Sequence, residues 1–355
     1  MKVLAETSLS ASQVRRITTH IGEDRVEERR EQVVAFTNKT LMDRTTTKPG
    51  VAPPEVGVLM LDNGTHQRRD HFGEPGKKTH WKQETGGLLL SMMSEVHEHD
   101  PCPEFPGWLF DSDVVAEIAS LAHRREMREN RGNLTSEDES LLETQGQAGF
   151  EWTPKVVSRE VIASTEGVDI ARYLESVAWE HGITSAPRQA FVADGALSIW
   201  AIHKKYFSQM TPIVDLMHAL SYAYRAAAVL DEEGLYHRWA RAIWQGRIRE
   251  VLTELTTHQE RLGRPPQDAS DDDPRQRIHR AVTYYTNHQS RMNYPEYRQR
   301  GLPVTSSMME STIKQLSRRV KGTEKFWNRS TAEAIMQLSA DSLSDSQPLQ
   351  KFWAR

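Results

Sequence analysis

The sequence predicts a mixed α/β protein: a sheet flanked by helices, interrupted by an all-helical insertion and preceded by a small helical segment. Three observations predict it. Apolar runs of strand length gather in the first 220 residues. Stretches with apolar residues three and four positions apart lie between and after those runs. From about Ala219 to Met292 the pattern is helical throughout, with one acidic interruption. Strands early and helices between and after them describe an α/β sheet that carries an insertion. The expected segments are 1–50, helical fragment and linker; 51–218, first part of the sheet core; 219–292, insertion; and 293–355, last part of the core with a basic helix and a tail.

Taken in order, Ser10 is placed to cap a short helix over 13–20, Gly22 to end it, and a charged second helix runs to about Phe36. This is the pattern of a helix-turn-helix fragment, with Arg15 and Arg16 as candidates for DNA contact; a dimerisation arm accounts for it equally well. Residues 45–55, TTTKPGVAPPE, read as a linker. Residues 56–62, VGVLMLD, form a buried strand that stops at a carboxylate and an Asn63-Gly64 turn. A polar strand is expected after Gly64 and a third over 86–96, GGLLLSMMSEV, completing an antiparallel meander.

Helix signals return at 112–131, where Val114, Val115, Ile118, Leu121 and Ala122 recur beside the polar HRREMRENR, and at 168–181, closed by Gly182. Residues 189–195, QAFVADG, are a second buried strand ending in a carboxylate, followed by the helix-like ALSIWAIHKKYF. At 212–215 a strand passes directly into a helix. In the helical block Trp239, Trp244, Ile248, Val251 and Leu255 share one stripe and are expected in the core; 263–274, GRPPQDASDDDP, is an acidic loop. A last helix, 308–320, follows the turn RGLPVTSS, and a tail with Trp327 and Trp353 closes the chain.

With 355 residues the chain is long enough for a large core. Its 45 Lys+Arg against 49 Asp+Glu leave it near neutral, so any nucleic-acid surface must be a local concentration of charge. The single cysteine, Cys102, excludes an intrachain disulfide framework and a cysteine-based zinc knuckle. Neither a membrane-length apolar run nor a signal-peptide core is present, so a cytoplasmic protein is expected.

The chemistry concentrates at strand ends. Asp62-Asn63-Gly64 and Asp194-Gly195 each deliver an aspartate to the carboxyl end of a strand, where α/β sheets form their ligand crevice. Crowded carboxylates repel, and Mg²⁺ or Mn²⁺ relieves the repulsion while keeping positions open for phosphate oxygens. Two such ions about 4 Å apart activate an attacking oxygen and stabilise a leaving one at phosphorus. Glu310 is the third candidate, one turn into a helix within a basic stretch. From 291 to 329 the chain carries Arg291, Arg298, Arg300, Lys314, Arg318, Arg319, Lys321, Lys325 and Arg329 against only Glu296, Glu310 and Glu324. Basic side chains there hold phosphates while an acidic metal ligand serves the chemistry; Lys314, Arg318, Arg319, Lys321 and Trp327 are the candidate DNA contacts.

The succession LMLDNGTHQRR, FVADGALSIW, VDLMHAL, YRQRGLPVTSSMMESTIKQLSRR and FWNRSTAEAIMQL resembles the DDE transposases of bacterial insertion sequences. It is most similar to the group whose ribonuclease H-like core is split by an all-helical insertion before the glutamate, and the resemblance spans Val56 to the C-terminus. It implies Asp62, Asp194 and Glu310 as catalytic metal ligands, two Mg²⁺ or Mn²⁺ ions per site, and DNA ends and target DNA as partners. It further implies a homodimer or higher oligomer on DNA, a nucleoid-associated location, and neither a covalent protein intermediate nor a nucleotide cofactor. Asp215-x-x-His218 is similar to the family's (Cys or Asp)-x-x-His signature, which makes both residues neighbours of the triad. The sequence departs from the family in its short N-terminal region.

Other readings stay open at this stage. Asp62 and Asp194 fit turn-forming aspartates, Ser307-x-x-Glu310 fits a capping box, His218 fits a core histidine, and the basic helix fits a solvated face. In function, a ribonuclease H-like nuclease without strand transfer and a truncated, domesticated DNA-binding regulator are the alternatives.

Overall fold

The computed structural model describes residues 9–69, 81–110, 152–165, 170–230, 232–322 and 325–355. The chain divides into two compact units. One comprises Met1–Met92, Val156–Pro187 and Met308–Arg355, the other Met93–Lys155 and Arg188–Ser307. Six strands with helices among the described residues make it a mixed α/β protein. The helix expected over 112–131 lies outside the described residues. No helix among the described residues is long and apolar enough to cross a membrane.

The first unit is built on a long antiparallel hairpin, β1 (Val56–Arg68) with β2 (Trp81–Met93), in register from Val56 opposite Met92 to Gln67 opposite Trp81. Residues 56 to 61 are all buried, as a continuous apolar run demands. The strand does not stop at Asp62. The expected Asn63-Gly64 turn is corrected here: both residues take ladder partners, Thr85 and Glu84, and Thr85 Oγ1 donates to Asn63 Oδ1 at 2.9 Å. A Cβ on Gly64 would lie 2.6 Å from Glu84 Oε1, so this glycine admits a close side chain instead of reversing the chain. The expected second and third strands are thus the distal half of β1 and a single β2. The next strand beside β2 is β3 (Lys155–Ser164), which the sequence reading missed; its first half, Val156 and Val157 included, is largely exposed and shows no apolar–polar alternation.

Helix α1 (Ala11–Thr37) is one continuous helix, capped by Ser10 in a capping box with Gln13. The expected break at Gly22, and the two-helix fragment built on it, are corrected. At Gly22 a Cβ would meet the Ala334 Cβ and carbonyl oxygen at 2.7 Å, so glycine serves a helix crossing there. The partner is α11 (Arg329–Leu343). Arg29 of α1 pairs with Glu333 at 2.7 Å with both side chains buried, and Glu333 also accepts from Ser164 Oγ, Thr165 N and Thr165 Oγ1. Burial raises the Glu333 pKa, but Arg29 and the Thr165 donors outweigh it and the net shift is downward. Short α2 (Leu41–Thr45), α3 (Ile170–Glu180), α10 (Ser307–Val320, all but its first residue), β6 (Phe326–Trp327) and α12 (Pro348–Trp353) complete the unit; β6 runs parallel to the end of β1.

The second unit holds the parallel pair β4 (Arg188–Ala193) and β5 (Thr211–Val214), joined through α4 (Leu197–Tyr206) and in register from Ala190 opposite Thr211 to Ala193 opposite Val214. The helical block follows as α5 (Leu216–Ala227), α6 (Leu235–Trp244), α7 (Ile248–Leu262), α8 (Pro274–His288) and α9 (Tyr294–Gln299). Trp239 and Trp244 are core residues, each 1 % exposed. The acidic loop before α8 is neutralised locally: Asp273 caps the helix, and Arg275, Arg277 and Arg280 pair with Asp273, Asp272 and Asp271.

Candidate active site

In the first unit the cross-strand partner of Asp62 is Gly86. Directly opposed residues of an antiparallel ladder project from the same face. A Cβ on Gly86 would stand 2.5 Å from Ile313 Cδ1, 3.1 Å from Met309 Cε and 3.3 Å from Leu316 Cδ1. Helix α10 therefore crosses the sheet over this pair, on the Asp62 side. Glu310 occupies the first turn of that helix, adjacent in sequence to Met309. A missing side chain at position 86 thus brings two of the expected carboxylates, both half-buried, to one face of the sheet. Asp62 Oδ1 accepts from the Asn63 N–H at 2.7 Å.

Further along the same face, Glu84 ties the helix down. It accepts from Ser317 Oγ at 2.9 Å and stands 3.3 Å from His66 Nδ1, with His66 and Glu84 both fully buried. Among the basic candidates, Arg318 and Arg319 are exposed while Lys314 and Lys321 are half-buried. Trp327 sits on β6 and its indole N–H donates to Val320 O at 2.7 Å, closing the end of α10. Arg15 and Arg16 are exposed on α1.

In the second unit the neighbouring parallel strands each end in an aspartate: Asp194 follows Ala193, and Asp215 follows its register partner Val214. Asp194 is half-buried, and its Oδ1 accepts from the Ala196 N–H at 2.9 Å, turning the chain into α4. Gly195 has φ 132°, and a Cβ there would meet Tyr284 Cε2 at 2.9 Å and His288 Nε2 at 3.3 Å. The helical block holds these strand ends through tyrosine hydroxyls, Tyr284 donating to Asp194 O at 2.9 Å and Tyr294 to Val214 O at 3.1 Å. His288 lies behind Gly195, and burial with the Arg291 charge lowers its pKa to about 4, so it is neutral near pH 7.

Asp215 is wholly buried and fully engaged. Its Oδ1 accepts from the Met217 N–H at 2.8 Å, capping α5, and its Oδ2 faces His218 Nδ1 at 3.2 Å and the Ser306 hydroxyl. Burial opposes ionisation, yet the bonds from His218, Ser306 and Met217 together with the His218 charge prevail and lower its pKa. Sequence reading missed Gly86, Ser306, Tyr284 and His288. Of these only Gly86 left a signal, as a glycine inside an apolar strand run.

Asp62 and Glu310 in the first unit and Asp194 in the second are each half-buried carboxylates, hard oxygen donors of the kind that Mg²⁺ and Mn²⁺ take. The class so defined is a mixed α/β protein. Comparison of the sequence with protein-family models and with curated proteins gives no match.

Proposed function

We propose that the chain is a DDE transposase of an insertion sequence, with a ribonuclease H-like core, an all-helical insertion, and Asp62, Asp194 and Glu310 as the ligands of two Mg²⁺ or Mn²⁺ ions. The observation that carries this is the pairing of Asp62 with Gly86 beneath α10, which gives Asp62 and the first turn of the Glu310 helix a common face. The order of elements supports the same reading. The antiparallel pair β1-β2, with β3 beside β2, precedes β4 and β5, which are parallel and joined by a helix, and a helical block separates β5 from the glutamate-bearing helix.

When bound, the two ions supply activation of the attacking oxygen and charge neutralisation at phosphorus. The carboxylates hold and orient; Arg318 and Arg319 bind phosphates along the DNA, with Lys314 and Lys321 beside them. Asp215 and His218 support the site from the end of β5. Hydrolysis at the transposon end frees a 3′-hydroxyl, which then joins target DNA in the same pocket, and two ends require at least a dimer. DNA and a second copy are therefore the partners, in the bacterial cytoplasm at the nucleoid.

The test is Mn²⁺-dependent nicking of duplexes carrying the DNA that flanks this gene, followed by joining of a pre-cut 3′-hydroxyl end to plasmid. Wild type nicks and joins, and Asp194→Asn and Glu310→Gln do neither. Nicking that survives both substitutions overturns the assignment; nicking without joining leaves a nuclease, and binding without nicking leaves a regulator.

A further inference from the structure

A second polar cluster, His66, Glu84 and Ser317, is buried where α10 crosses the sheet. We infer that Glu84 is a positioning residue for Glu310: its bond to Ser317 sets where α10 stops along β1 and β2, and so where Glu310 stands relative to Asp62. This rests on the metal-dependent reading above and goes beyond it by naming what holds one ligand in place.

Asp62, Gly64 and His66 alternate along β1 and share a face with their ladder partners Gly86, Glu84 and Lys82. Helix α10 lies on this face, and what it lays over Gly86 is apolar: Met309, Ile313 and Leu316. Apolar contact is non-directional, so it holds the helix down without fixing how far it slides. A bond between a hydroxyl and a carboxylate tolerates only a narrow range of distance and angle. Ser317 Oγ donates such a bond to Glu84 Oε1 at 2.9 Å, and both residues are buried, so water does not replace it.

The helix carries that anchor to the ligand. Glu310 and Ser317 lie seven residues apart on α10, two turns or about 10.5 Å, and so project from nearly the same side. The cluster also bears the marks of a feature kept for position and not for stability. His66 Nδ1 stands 3.3 Å from Glu84 Oε2, yet neither of these atoms, nor His66 Nε2, has a hydrogen-bond partner. Buried polar atoms left unpaired cost stability, and an apolar trio of similar shape would cost less. Fixing register is the best-attested use of such buried groups. Gly64 fits the same purpose: a Cβ there would lie 2.6 Å from Glu84 Oε1, so the glycine leaves room for the carboxylate.

The experiment uses the full chain and Mn²⁺ alone. Affinity is titrated at a temperature where circular dichroism shows every variant folded, and stability is measured separately by urea unfolding. Ser317→Ala removes the donor; His66→Leu with Glu84→Met and Ser317→Ala makes the whole cluster apolar. A hydrogen bond to a carboxylate biases an equilibrium by about 10- to 100-fold, and apparent affinity falls with the fraction of protein in the competent register. Ser317→Ala should therefore weaken Mn²⁺ binding about tenfold or more. The triple variant should match or exceed wild type in urea and still bind about tenfold more weakly, a separation that a purely structural tie does not produce. Wild-type affinity in either variant overturns the inference and leaves the carboxylate site standing. No Mn²⁺ binding by the wild type, or binding that Asp62→Asn and Glu310→Gln leave untouched, overturns both. Should the triple variant be less stable than wild type or not fold, Ser317→Thr decides: affinity lost in Ser317→Ala and restored by the threonine hydroxyl supports the positioning role, and equal weakening in the two refutes it.

Discussion

Gly86→Ala puts a methyl group where Ile313 Cδ1 lies 2.5 Å away. Carbon atoms in contact prefer about 3.5–4.0 Å, so one side must yield by roughly 1 Å. The nearest atom is the end of a flexible side chain, which makes the substitution tolerable but not free. Overpacking costs about 1–3 kcal/mol, and the stiffer unfolded chain returns about 0.4–1 kcal/mol. A net loss of about 1 kcal/mol follows. Ile313→Val removes the offending atom and by itself costs about 0.5–1.5 kcal/mol. In the double variant the new methyl enters the vacated space, so its stability should match that of Ile313→Val alone, a coupling of about 1 kcal/mol. Urea unfolding of the four proteins measures it. Additivity within about 0.5 kcal/mol refutes the close approach of α10 to the Asp62–Gly86 pair, and with it the common face on which the proposed carboxylate site depends.

His288 titrates at about 4 when folded and at about 6.5 when unfolded. Between these values only the unfolded chain takes up the proton, so stability falls as the pH drops from about 6.5 toward 4, by about 2 kcal/mol at pH 5. His288→Gln should flatten that limb when unfolding free energies at pH 7 and pH 5 are compared; an unchanged slope assigns it to other groups. Arg29→Met strands a buried Glu333 carboxylate and should cost about 3–5 kcal/mol in urea, much of it recovered by Arg29→Met with Glu333→Leu. Because the folded Glu333 pKa is lowered, its contribution is complete above the unfolded carboxylate range and disappears as pH falls through the folded value. Glu333→Gln should show none of that acid-side loss, and a retained loss points to a different carboxylate.

Periodicity and apolar runs were enough to read the mixed α/β class, the β4 and β5 strands, the helical block with its Trp239 and Trp244 core, and the 308–320 helix, but that helix is not the last: α11 and α12 form where a tail was expected. These features rest on side-chain patterning within one element, which is written locally in the chain. Asp194 was legible as a strand-end carboxylate for the same reason. Glycine was not. Gly22, Gly64 and Gly86 carry the local signal of a stop or a turn, yet each is a place where another element comes too near for a Cβ. What approaches a glycine is decided by residues far along the chain: Ala334 for Gly22, Glu84 across the ladder for Gly64, Ile313 for Gly86. Position 62 was therefore read correctly as a carboxylate on a buried strand and wrongly as the strand's end. Residue types and local periods belong to the sequence alone, whereas the face shared by Asp62 and the Glu310 helix, and the Ser306 bond to Asp215, exist only because packing closes contacts between elements that no local pattern encodes.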